Sequence, residues 1–271
     1  MKNVLIGAFA TTLVALALAA CSNTPTGTTP TGTDTGYVKF NTNDKFTFNY
    51  YPHDNSDARV ESAKQVKVWT VLKVDQSYND RSGVTVIEEV TFNGTGTTAT
   101  GQRDTFYFQS SKNGEVSQSD LLHAVVKRIP GGDQFLDSIP KNWIKLTNTK
   151  LDKDSTWQSM DDGTVTNTVA ILTYPTTITI SMLADHKGKQ PVTVPNGSYT
   201  NSYHTDHSML VRTSSTNPLL TSSRDSFNIA YDFSPRDGMV KQWLKSTTFF
   251  GSQQIPGFDM ELVSVQRATT N

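Results

Sequence analysis

The chain has 271 residues, of which 24 are basic and 25 acidic, for a formal net charge of −1. That balance argues against a nucleic-acid surface, which carries a basic excess, and 10% aromatic residues are too many for a disordered chain. The length suits one large β domain or two small ones, and 39 threonines, being β-branched, lean the composition towards strands.

The N-terminus reads first. Met1-Lys2-Asn3 carries one positive charge, and the 17 residues Val4–Ala20 carry none. That stretch is short for a membrane span, which takes about 20 residues, and fits the apolar core of a secretory signal. Residues 1–20 are therefore expected to be a signal peptide. They end in Leu18-Ala19-Ala20-Cys21, and Cys21 is the only cysteine of the chain. This resembles the bacterial lipobox. The resemblance implies cleavage before Cys21, lipidation of its sulfur with further acylation of the palmitate type, and attachment to the membrane. Two or more acyl chains anchor stably. Ser22 follows Cys21 where an aspartate would imply inner-membrane retention, so the resemblance implies the outer membrane, facing the periplasm or the cell surface. With no second cysteine, packing must stabilise the fold without a disulfide. Ser22–Gly36 holds seven threonines, two prolines, three glycines and no apolar residue. It has nothing to bury, and residues 21–36 are expected to be a lipidated, disordered tether spanning roughly 20 Å.

From Tyr37 the apolar period is close to two. Phe46, Phe48 and Tyr50 alternate with Thr47 and Asn49, and Val66, Val68, Thr70, Leu72 and Val74 alternate with their neighbours. Val84–Phe92, Thr105–Ser110, Val116–Leu121 and Ala124–Ile129 read as further strands. So do Val165–Thr173, Thr176–Leu183, Ser198–Arg212, Ser226–Phe233, Val240–Phe250 and Met260–Gln266. Asn93-Gly94, Asn113-Gly114, Asp162-Gly163 and Asn196-Gly197 supply hairpin turns with positive φ. A short helix is expected at Asp133–Ser138, between Gly131-Gly132 and Pro140. No long helical pattern separates the strands, which argues for an antiparallel meander over βαβ units. About a dozen strands exceed what a flat sheet tolerates. The expected fold is mainly β: a large curved antiparallel sheet, as a half-barrel or two packed sheets, with one or two short helices. It occupies residues 37–271, with a soft internal boundary near 140–153, between the segments around Trp143 and Trp157.

Three segments of the second half carry another resemblance: Pro195-Asn-Gly-Ser-Tyr199, Asp232-Phe-Ser-Pro-Arg-Asp-Gly-Met-Val-Lys241 and Glu261-Leu-Val-Ser-Val265. In this order they resemble a group of curved-sheet bacterial envelope lipoproteins, including TapB-like ones. Ser234 stands where that pattern has alanine, and Asp237 where its glycines are denser. The resemblance covers about residues 140–266 and implies a fold similar to the lipoprotein carriers whose concave sheet face holds acyl chains. It implies no activity, because fold does not fix function. In their own right, Gly197 and Gly238 read as turn glycines and Pro195 and Pro235 as strand stops.

Catalytic chemistry is thin. In His204-Thr-Asp206-His207 a strand puts His204 and Asp206 on one face and His207 on the other, and two ligands do not make a metal site. Glu88 and Glu89 point apart for the same reason. Asp152-Lys-Asp154 resembles half a calcium loop but lacks the glycine and the closing glutamate. No Gly-x-Ser-x-Gly, P-loop or His-Glu-x-x-His motif occurs. No catalytic residue, metal or cofactor is assigned, and no nucleic-acid partner. The residues assigned a role are Cys21 for lipidation and Phe46, Phe48 and Tyr50, whose rings share one strand face, as core or as a concave surface for a hydrophobic ligand. The expected function is a membrane-anchored, non-enzymatic binding or assembly module of the envelope, its partner a lipid, a glycan or an envelope protein. A glycan- or protein-binding surface and a hydrolase with an unseen site are the alternatives.

Overall fold

A computed structural model describes residues 36–93, 101–126, 141–161, 163–171, 174–216, 222–249 and 253–268. The signal segment, Cys21, the tether up to residue 35 and the expected helix at Asp133–Ser138 lie outside the described residues. In chain order the strands are β1 (Lys45–Pro52), β2 (Gln65–Tyr78), β3 (Arg81–Asn93), β4 (Gln102–Ser110), β5 (Glu115–Ser119) and β6 (Trp143–Asn148). Then come β7 (Ser155–Gln158), β8 (Thr164–Ile171), β9 (Tyr174–Val194), β10 (Gly197–Ser215), β11 (Ser223–Ser234) and β12 (Gly238–Leu244). The short pair β13 (Thr247–Phe249) and β14 (Gln253–Ile255) precedes β15 (Phe258–Gln266).

All except β13 and β14 join one antiparallel sheet of 13 strands, ordered β6-β5-β4-β3-β2-β1-β15-β12-β11-β10-β9-β7, with β8 also paired to β9. The curved-sheet expectation thus holds in its one-sheet form. The two halves of the chain are joined where β1 pairs with β15. β6 and β7, on either side of the 140–153 stretch, stand at opposite ends of the strand order.

Three expected elements differ. Ala124–Ile129 was expected as a strand, but Leu121–Val126 is a helical turn, α1. Asp120, at φ 67°, turns the chain out of β5 and buries Leu121 and Leu122. Val240–Phe250 is broken after Leu244: Ser246 N–H donates to Asp57 Oδ1 at 2.7 Å instead of continuing the ladder. β9 runs on to Val194 through charged residues, because nearly its whole length pairs with β10.

Period two puts one face of most strands into a single core. Phe46, Phe48, Trp69, Ile87 and Phe108 join Met182, Met209, Phe227, Phe233 and Leu262 in one contiguous cluster. The sheet is not closed, but it curls until its ends nearly meet. Ser159–Asp161, which follows β7, bridges them: Lys145 N–H donates to Ser159 O and Ser159 N–H to Met182 O, both at 2.8 Å. Buried side chains finish this seam. His207 Nε2 lies 2.8 Å from Leu146 O and its Nδ1 3.0 Å from Ser159 Oγ. His186 Nε2 lies 2.8 Å from Leu151 O and its Nδ1 2.8 Å from Thr205 Oγ1. Edge carbonyls of the seam are thus satisfied by ring N–H groups, as buried backbone requires.

The three segments of the second resemblance meet at one end of the sheet. Tyr199 donates to Asp237 Oδ2 at 2.8 Å and accepts from Asn196 Nδ2 at 2.6 Å, while Asn196 N–H donates to Leu262 O at 3.0 Å. Gly197 and Gly238 have φ of 132° and 80°. Both satisfy the turn reading, and the cluster around them holds three turns and strands together.

Candidate functional site

The outer face of β9 to β12, turned away from the core, carries a groove of about 750 Å³. Two adjacent rows of side chains build it. In one, Trp243 of β12 is in register with Ala230 of β11, Asp206 of β10 and Asp185 of β9. In the other, Asn228, Ser208, Leu183 and Gln158 are in register across β11, β10, β9 and β7. The small Ala230 keeps the first row open between the indole and the carboxylates. Lys245 stands at the end of β12 beside Asn228.

Leu183 is 59% exposed, the largest value among the exposed large hydrophobics of the described residues. It stands among polar side chains in the outward phase of β9. Trp243 is half-buried. The indole N–H of Trp243, the amide of Asn228 and the ammonium of Lys245 make no hydrogen bond or ion pair among the described residues. A partly apolar floor with unengaged donors is the make-up of a ligand site.

Asp185 and Asp206 sit directly opposite each other, which places their Cβ atoms about 5 Å apart. Like charges so placed repel. Each has a partner on the same face: Lys187 Nζ lies 2.5 Å from Asp185, and His204 Nε2 3.1 Å from Asp206. His204 also bonds Asp232 through Nδ1 at 2.9 Å, and this bond, with the charge of both carboxylates, raises its pKa above the ordinary value against the effect of burial. Further along the face, Lys241 pairs with Glu261 at 3.3 Å, and Arg59 with Asp259 and Glu261 at 2.9 and 2.7 Å. These carboxylates of the outer face are therefore paired with basic side chains.

The residues singled out in the sequence fall elsewhere. Phe46 and Phe48 are 1% and 0% exposed, and Phe48 packs against Trp69 with ring centroids 4.6 Å apart. Tyr50 is half-buried, stacked on Phe258 at 5.0 Å under Lys67. Phe46 and Phe48 are closed in by the protein's own side chains, and Tyr50 is partly so. Glu88 and Glu89 do point apart: Glu88 pairs with Arg103 on the outside at 2.8 Å, while Glu89 accepts from Trp69 Nε1 at 2.7 Å and from Lys67 on the inside. His204 and Asp206 share the outer face and His207 is buried on the inner one. Asp152 pairs with Lys189 at 2.9 Å, and the hydrogen bond from that lysine holds its carboxyl below the usual range. Trp243, Leu183, Asn228 and Lys245 were not singled out, because they converge from separate strands. A signal was present: Leu183 and Trp243 are apolar residues in the polar phase of their strands, between Asp185 and Ser181 and between Lys241 and Lys245.

These features define a class: a one-sheet, curled antiparallel β protein with one buried core and a groove on its outer face. The chain matches no protein-family model and no curated protein. Among solved structures it is similar to a candidate exported protein with a YmcC-like fold from Bacteroides fragilis, at 11% identity over 85% of this chain and 99% of that one, with a TM-score of 0.40. A likeness this distant transfers neither ligand nor activity.

Proposed function

We propose that the protein is an exported lipoprotein, held at the outer membrane by acylated Cys21, whose β domain is a non-enzymatic binding module with its ligand site in the outer-face groove. The sequence Leu18-Ala19-Ala20-Cys21 and the tether after it support the anchor. The observation that carries the binding role is Leu183, apolar and 59% exposed, on a groove whose Trp243, Asn228 and Lys245 side chains make no hydrogen bond or ion pair among the described residues. The chemistry around the groove supports binding over catalysis. Both ring nitrogens of His204 face carboxylates, and the Ser208 hydroxyl has Ser226 Oγ at 3.4 Å as its partner. Neither arrangement activates a nucleophile.

The test places a benzophenone side chain at Leu183 in the full chain, in its native envelope, with the same group at Glu88, on the outer face of β3, as control. Illumination is expected to give a discrete adduct at position 183 and none at 88. No adduct at 183, or equal labelling at both, contradicts the groove as the binding surface.

A further inference from the structure

The chemistry of the groove narrows its occupant. We infer that it takes a neutral oligosaccharide, with one sugar ring lying against the Trp243 indole; this rests on the groove being the binding surface. Asp185 and Asp206 can only accept hydrogen bonds when ionised, whereas Trp243, Asn228 and Lys245 bring donors that nothing in the described protein uses. Acceptors and donors on opposite walls suit a ligand that offers both at every position, and hydroxyl groups do so. The flat, half-buried indole and Leu183 supply the apolar area on which the C–H face of a sugar ring can rest. From β12 to β9 the row crosses three strand spacings, roughly 14 Å, which leaves room for more than one ring.

Other occupants fit less well. An anion meets two carboxylates, each about half exposed. A cation meets Lys245 and finds both carboxylates already engaged by Lys187 and His204. An extended peptide binds by pairing its backbone with a sheet edge, whereas the groove lies on a sheet face whose backbone groups are spent in the β9–β10–β11–β12 ladders. An acyl chain finds Leu183, Trp157 and Trp243, with Ala184 and Ile229, but these are interrupted by Asp185, Asp206, Asn228 and Lys245.

The test titrates the full chain, purified in a detergent without a sugar headgroup, with cellohexaose, chitohexaose and maltohexaose by calorimetry. At least one is expected to bind. Trp243→Ala is expected to weaken that binding about tenfold or more, the loss of one well-made contact. Since Trp243 is half-buried, Asn228→Ala is the second variant: its side chain is exposed, and it is expected to weaken binding while leaving the melting temperature unchanged. Three silent titrations, or affinities untouched by both substitutions, overturn the inference. If the saccharides are silent while the photo-adduct at position 183 forms, the glycan assignment falls and the groove stands. If both are silent, both fall.

Discussion

Phe48→Ala is expected to lower the free energy of unfolding by about 3–5 kcal/mol, the range for removing a fully buried ring. Phe48 has no exposed surface and lies in a cluster that runs through both halves of the chain. Trp69 packs against it at 4.6 Å, and Trp69 is in turn fixed by its indole N–H to Glu89 at 2.7 Å. The indole cannot swing into the space left by the ring without giving up that charge-assisted bond, so the cavity should collapse poorly. Urea denaturation of both chains measures the loss. A free energy of unfolding within a few tenths of a kcal/mol of the parent would mean that the ring lines an open surface, as a ligand face would.

Acidification from pH 7.5 to 4.5 is expected to destabilise the protein through His207. Its ring is 1% exposed, and burial holds its pKa down to about 4. Leu146 O can only accept, so the proton sits on Nε2, and Nδ1 takes the Ser159 hydroxyl. Asp206, on the opposite face of the sheet, favours the charge, while His186 in the same seam and His204 on the opposite face oppose it. A histidine whose folded pKa is depressed stabilises the fold fully above its unfolded value, near 6.5. That contribution is lost as the pH falls from there towards 4, because the unfolded chain takes up the proton first. The span corresponds to about 3 kcal/mol. His186, depressed by burial in the same seam, acts in the same direction. His204, raised by Asp232, acts in the opposite one: its contribution is present in acid and fades as the pH rises through its folded pKa. His207→Gln should be less stable than the parent at pH 7.5 and lose markedly less stability on going to 4.5. Parallel losses in the two chains would show that the seam histidine is not the sensor.

What could be read from the sequence follows from periods and local chemistry. Alternation placed Phe46, Phe48 and Tyr50 on one face, separated Glu88 from Glu89, and put His207 opposite His204. It could not say what would cover a face. Ile144 and Leu146 of β6 share the core with Met182 of β9 only because the sheet curls until its ends meet, and no local pattern encodes that. Leu121–Val126 was ambiguous because a short apolar run suits helix and strand alike. The second half of β9 was hidden because Lys187, Gly188, Lys189 and Pro191 read as a connection, and pairing with β10 overrides that preference. The groove was legible only as two misplaced apolar residues. Register across four strands turned Leu183 and Trp243 into neighbours.

We propose that the inner-face rings serve as core and that the outer groove of a lipid-anchored domain is the working surface. Native mass spectrometry of the full-length protein extracted from its membrane tests this most directly. The expected result is a chain beginning at acylated Cys21, with the acyl mass removed by Cys21→Ser and no lipid retained noncovalently. A stoichiometric lipid held by the folded domain, lost on unfolding, would put the ligand inside the sheet and contradict it.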